Sequence, residues 1–274
     1  MSDETTTVET ALLPVSVKRT GTGPTVLYLH DFLFDVPTDE PDSPRLQETL
    51  AESVSVVAPT LPGFDDIAQL APMEEVEDYV FLLLDTIAAL GLDQPHVLGA
   101  GFGGWLAAEL AVRRSDLLRS LTLVNAFGLK VDDHPTARFF YAAAPDPLEG
   151  KRDVRHMLFA EPECSLALAV VPDQLDEPRA TTFFRHVHAA ARIGWEPPAF
   201  YDRKLRSRLS RVTVPTQVIW GRANAIVDLA HADAYATGIE GAELTVLDDA
   251  GHLAIYEKPK ELAEIVVATI EGAR

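Results

Sequence analysis

Short apolar runs alternate along this chain with longer stretches whose apolar positions recur at helical spacing. Thr25–Leu29 (TVLYL) is apolar almost throughout, the pattern of a strand buried on both faces, and Ser53–Ala58 (SVSVVA) is a second such run. His96–Leu98, Leu121–Val124, Thr216–Trp220 and Leu244–Leu247 continue the series. Between them, Glu74–Leu90 places Val76, Val80, Leu83, Leu84, Ile87 and Leu90 on one helical face, and Gly91 stops it. Gly103–Arg113 and Glu261–Glu271 are further predicted helices. Strand and helix in alternation imply right-handed crossovers and a doubly wound, mostly parallel α/β sheet.

The alternation breaks between about residues 131 and 200. That stretch is rich in proline and aromatics (Phe139, Phe140, Tyr141, Phe159, Phe183, Phe184, Trp195) and has no buried-strand run. It predicts a helical insertion over the strand ends, with the core formed by residues 11–130 and 201–274. Residues 1–10 are polar and are expected to be disordered.

Composition narrows the function classes. Lys and Arg number 23 against 42 Asp and Glu, a net charge of −19, which argues against nucleic acid and against an anionic membrane surface. Cys164 is the only cysteine, so neither an intramolecular disulfide nor a thiolate metal site can form. The opening MSDETTTVET has no basic or apolar segment of a signal peptide, and no uncharged apolar run reaches the roughly 18 residues of a spanning helix. A cytoplasmic protein is expected.

Four stretches carry chemistry. They are Leu29-His30-Asp31-Phe32; Ala58-Pro59-Thr60-Leu61-Pro62-Gly63-Phe64; Leu98-Gly99-Ala100-Gly101-Phe102-Gly103-Gly104-Trp105; and Trp220-Gly221-Arg222-Ala223-Asn224 with Ala250-Gly251-His252-Leu253 and Glu257-Lys258-Pro259. In this order they resemble the α/β-hydrolase superfamily, lidded esterase-like members included. The likeness is to its H-G loop, its P-G loop, its G-x-S-x-G nucleophile elbow, its W-G-x-x-D acid loop and its G-H loop. The resemblance implies the α/β-hydrolase fold with the 131–200 segment as lid, and an oxyanion hole from the backbone N–H groups of Phe32 and Phe102.

The departures lie at the reactive positions. Gly101 stands where the resemblance puts the nucleophile and can form no covalent intermediate. Asn224 stands at the acid position, and Asn125, uncharged as well, at the alternative one. His252 alone matches, so a Ser-His-Asp hydrolase is not expected. Gly101 is read as relieving elbow strain. His252 is read either as a general base or as a relic held by Asn224. Asp228 could swing in as a substitute acid, with the N-cap of a helix at Leu229–Thr237 as the favoured reading. Asp31 could pair with His252 or repel anions, but a solvated loop carboxylate is the favoured reading. His30 is expected to brace its loop. His186 and His188 are read as lid residues facing different ways, and Cys164, beside Glu161 and Glu163, as unreactive.

Three functions follow. The first is an enzyme using His252 as base with the backbone oxyanion hole, acting on a small apolar or carbonyl-containing molecule. The second is a pseudoenzyme holding a small apolar ligand, and the third a protein-interaction scaffold. No cofactor or metal is expected. Restoring both Gly101→Ser and Asn224→Asp is expected to rebuild a working triad.

Overall fold

The computed structural model describes residues 4–32, 45–136, 147–174, 177–194 and 199–273. An eight-stranded sheet runs in the order β1-β2-β4-β3-β5-β6-β7-β8. The predicted apolar runs supply β3 (Thr25–Leu29), β4 (Ser55–Pro59), β5 (His96–Ala100), β6 (Ser120–Val124), β7 (Thr216–Gly221) and β8 (Glu243–Leu247). Their mutual pairings are all parallel.

Two antiparallel strands precede them. β1 (Glu4–Val8) pairs with β2 (Val15–Thr20), which pairs with β4. The expectation of disorder over residues 1–10 is therefore corrected for Glu4–Val8. This edge strand is polar because four of its five residues face solvent, and backbone pairing to β2 orders it.

Apolar cores lie on both sheet faces. One holds α2 (Val76–Ala89) and α3 (Gly101–Arg114), with Tyr79, Val80, Phe102, Trp105 and Leu106 buried. The other holds α1 (Leu46–Ala51) against the closing helix Pro259–Gly272, through Leu46, Leu50, Leu262 and Val266. The crossovers flanking β3 thus use opposite faces, and the crevice at the carboxyl ends of β3 and β5 is where such sheets bind ligands. Helix α3 approaches the sheet closely: a Cβ on Gly103 would lie 2.1 Å from the Leu29 carbonyl oxygen.

Between β6 and β7 lie the helices Pro147–Leu158, Ser165–Val170 and Glu177–Gly194, in the segment read as a lid. The buried Arg155 ties the first of them to both flanks of the second, donating to the Val171 carbonyl and to the carboxylates of Asp173 and Glu163. Phe139, Phe140, Tyr141 and Trp195 lie outside the described residues. Among the described residues no helix is long and apolar enough to cross a membrane, and no group of three or more His, Cys, Asp or Glu could hold a metal ion.

Candidate active site

Every singled-out motif falls at the carboxyl end of a strand. β3 leads into His30 and Asp31, β5 into Gly101, β6 into Asn125, β7 into Asn224, and β8 into the loop carrying His252. The elbow's central residue, Gly101, has φ +50°, the left-handed region that a side chain adopts only with strain.

The site turns on Asp31. Its carboxylate is 4% exposed, so the solvated-loop reading is corrected. One oxygen, Oδ1, accepts from Phe32 N–H at 2.7 Å and Phe102 N–H at 2.9 Å. These are the two amides expected to serve as oxyanion donors, and they are engaged by the protein's own carboxylate. The other oxygen, Oδ2, lies 3.0 Å from His252 Nε2, and His252 is likewise 4% exposed. A Cβ on Gly101 would fall 2.0–2.2 Å from the carboxyl atoms of Asp31. Gly101 therefore does more than relax the turn: its missing side chain is the space the carboxylate fills.

The loop is fixed from behind by His30, as expected. Its Nε2 accepts from Leu61 N–H at 2.9 Å, so Nδ1 carries the proton and donates to the Asp31 carbonyl at 2.8 Å. Burial holds the His30 pKa down at about 3, which keeps the ring neutral.

Asn224 does not hold His252. Its Oδ1 accepts from Ile226 and Val227 N–H, and both its Nδ2 and the Nδ1 of His252 are buried without a hydrogen-bond partner. Asn125, at the alternative acid position, is engaged by backbone groups. Its Nδ2 donates to the carbonyls of Gly251 and His252, and its Oδ1 accepts from Gly221 N–H. It ties the end of β6 to β7 and to the histidine loop from a backbone at φ +48°. Glu257 fixes the same loop from the far side, accepting from Gly251 and Ala160 N–H, while burial pushes its carboxyl pKa up.

Asp228 caps the helix Leu229–Gly238 through Ala230 N–H, as expected, and is paired with His134 and His231 rather than with His252. His186 is buried and His188 exposed, in line with their facing apart. Burial lowers the His186 pKa to about 4. Cys164 caps Ser165–Val170, its sulfur accepting from Ala167 N–H.

An aromatic collar surrounds the pair. Phe32 stacks on Phe102 with ring centroids 4.6 Å apart and meets Phe200 edge-on at 5.5 Å. Phe127 stacks on Phe200 at 5.0 Å and lies 5.1 Å from the His252 ring. All four phenylalanines are buried. The lid aromatics are named from the sequence, whereas Phe127 and Phe200 are not; Phe127 had a signal in its placement just after β6. A separate cleft of about 910 Å³ opens beside Trp105, Glu109, Arg113 and Arg192, away from Asp31 and His252.

The chain belongs to the α/β-hydrolase family: the model of that family matches residues 26–265. Among curated proteins it is similar to the monoacylglycerol lipase ABHD6 of Mus musculus, 23% identical over 269 residues, covering 91% of this chain and 76% of that one. Among solved structures it is similar to a bacterial membrane phospholipase A, with TM-score 0.78, 20% identity, and coverage of 99% of this chain and 87% of the other. The meta-cleavage product hydrolase CumD of Pseudomonas fluorescens IP01 matches with TM-score 0.74 and 19% identity over 98% of both chains.

Proposed function

We propose that this chain is a small-molecule enzyme of the α/β-hydrolase family with a degenerate triad, in which Asp31 and His252 form the reactive pair. One observation carries the reading: a buried carboxylate with one oxygen on two backbone amides and the other 3.0 Å from an imidazole nitrogen. Burying an unneeded carboxylate is costly, and such charge pairs concentrate at reactive sites. His252 serves as the base, and no acyl-enzyme forms on the elbow because Gly101 has no nucleophile. The collar of Phe32, Phe127 and Phe200 suits a small, neutral, apolar substrate, while the carboxylate disfavours anions. A free carbonyl substrate has no vacant oxyanion site while Asp31 stays in place, so the earlier expectation of an open amide pair is replaced.

The relatives support hydrolytic chemistry without choosing a substrate; monoacylglycerol lipase and phospholipase A are names of proteins that this chain resembles. The test is a screen of neutral esters, lactones, epoxides and alkyl halides on the wild type, Asp31→Asn and His252→Ala. Activity should fall at least about 100-fold in His252→Ala, as for loss of a general base. Full activity in that variant removes the mechanism.

The second reading is a pseudoenzyme that binds a small apolar ligand. The same ion-pair contact and the burial of both partners favour it, since a carboxylate locked in the amide pair also blocks that position. Thermal stabilisation by apolar ligands with no turnover of any substrate class would select it.

A further inference from the structure

We propose that the cleft beside Trp105 is a second binding site, separate from Asp31 and His252, for a linear zwitterion: an ammonium group joined through an apolar chain to a carboxylate. The proposal does not depend on the reading of Asp31 and His252 as a reactive pair.

In a chain of net charge −19, residues 203–211 hold five of the 23 basic side chains: Arg203, Lys204, Arg206, Arg208 and Arg211. No acid occurs between Asp202 and Asp228. Leu205 and Leu209, both buried, anchor this segment and leave Arg203, Lys204 and Arg206 exposed. The overall charge argues against anions, but a ligand in a cleft meets the charges that line it. Arg203, Lys204 and Arg208 line the cleft of about 910 Å³, and so do Glu74, Glu75 and Glu77 around the start of α2. That volume suits a drug-sized molecule.

Part of this charge is neutralised within the cleft. Glu109, 1% exposed, accepts from Trp105 Nε1 at 3.1 Å and from Arg113, whose Nη2 lies 3.4 Å from Glu77. A carboxylate is costly to bury, and these bonds hold Trp105 and Arg113 in place as part of the lining. Arg208 pairs with Asp202 at 3.1 Å, and Arg192 Nε donates to the Met73 carbonyl. Arg203 and Lys204 on one element, and Glu74 and Glu75 on another, are left with no ion-pair partner among the described residues. A simple anion entering the cleft meets Glu74 and Glu75, and a simple cation meets Arg203 and Lys204. A molecule carrying both charges satisfies the two sets at once, with a charge-assisted hydrogen bond at each end. Val76, Trp105 and Ile193 supply the apolar part of the lining for the chain that joins them.

The test is calorimetric titration of the full chain with 6-aminohexanoate, 8-aminooctanoate and 12-aminododecanoate, a series that varies the span between the two charges. Octanoate and octylamine are the singly charged controls. At least one zwitterion should bind at least about tenfold more tightly than either control, the gain expected from a hydrogen bond to a charged group. Arg203→Ala with Lys204→Ala should weaken that zwitterion at least about tenfold, and Glu74→Gln with Glu75→Gln should do the same. All four side chains are exposed, so both variants should keep the wild-type melting temperature. Asp31→Asn should leave the titration unchanged. Binding lost in Asp31→Asn but retained in both cleft variants would place the ligand at the Asp31–His252 pair and overturn the proposal. Binding of no zwitterion, or equal affinity for zwitterion, octanoate and octylamine, would overturn it as well, and either result leaves the reading of Asp31 and His252 untouched.

Discussion

The carboxylate of Asp31 occupies the space that a side chain on Gly101 would fill, although the two residues stand seventy positions apart, just past the ends of the neighbouring strands β3 and β5. The resemblance puts glycine after the histidine of the first loop and a side chain at the elbow. Here the two have changed places: Asp31 carries the side chain and Gly101 carries none. The exchange delivers an acidic group to the same point, on the same amides and against the same histidine.

That exchange changes what restoration requires. Gly101→Ser with Asn224→Asp was expected to rebuild a triad, but the new serine would collide with Asp31. Asn224→Asp itself should be tolerated, because the bonds from Ile226 and Val227 need only an oxygen acceptor. The triple variant Asp31→Gly, Gly101→Ser, Asn224→Asp should hydrolyse a small activated acetate ester at least about tenfold faster than the double, since triad members act as a unit. Initial rates of the two folded proteins at pH 8 decide it; equal rates would mean Asp31 is not the obstacle.

Asn125 should behave as a brace. Asn125→Ala removes three buried hydrogen bonds, and each unsatisfied partner costs about 1–3 kcal/mol. Asn125→Asp should be worse than Asn125→Ala, because a carboxylate would face the Gly251 and His252 carbonyl oxygens without a proton to donate. Urea midpoints of the two variants test this order. A stable Asn125→Asp that raises activity would instead make this the site of a substitute acid.

Stability should fall in mild acid. His30 and His186 are held neutral by burial, at about 3 and about 4, against roughly 6.5 in an unfolded chain. Between those values the unfolded chain binds more protons than the fold. Their contribution is therefore fully present above about pH 6.5 and is lost progressively as pH falls toward 4 and then 3. The melting temperature should decline across that window in the wild type and less steeply in His186→Phe. Identical slopes would remove His186 as a source.

The sheet was largely legible because strands buried on both faces are apolar throughout and cannot be mistaken for loops. Thr25–Leu29 was placed to the residue, and the helix read at Glu74–Leu90 runs Val76–Ala89. β1 and β2 escaped notice for a physical reason. An exposed edge strand such as ETTTV needs no apolar face, and only the alternation of Val15 and Val17 marked β2. A local role was also readable, since the Asp228 cap depends on near neighbours, whereas the His30 brace reaches Leu61 on another loop and was legible through the resemblance. Asp31 was misjudged because exposure is the ordinary state of a loop aspartate, and its burial depends on a vacancy at the turn after another strand. The signal was there in two coupled departures, a glycine lost at 31 and one gained at 101, but only the β3–β5 pairing brings them together. Asn224 was misread for the opposite reason, since its local bonds to Ile226 and Val227 satisfy it without the histidine.

The central claim is that the Asp31 carboxylate fills the side-chain space of Gly101, and a double-mutant cycle on unfolding free energy tests it most directly. Gly101→Ala, Asp31→Gly and the combined variant are compared with the wild type by denaturant unfolding. If the carboxylate is where the structure places it, Gly101→Ala should be markedly destabilising alone. In the Asp31→Gly background it should cost only the strain of a side chain at positive φ, about 1–3 kcal/mol. The two changes should then be coupled by at least about 1 kcal/mol, in the range seen for residues in contact. Additivity within about 0.5 kcal/mol would place Asp31 away from the elbow and contradict the account.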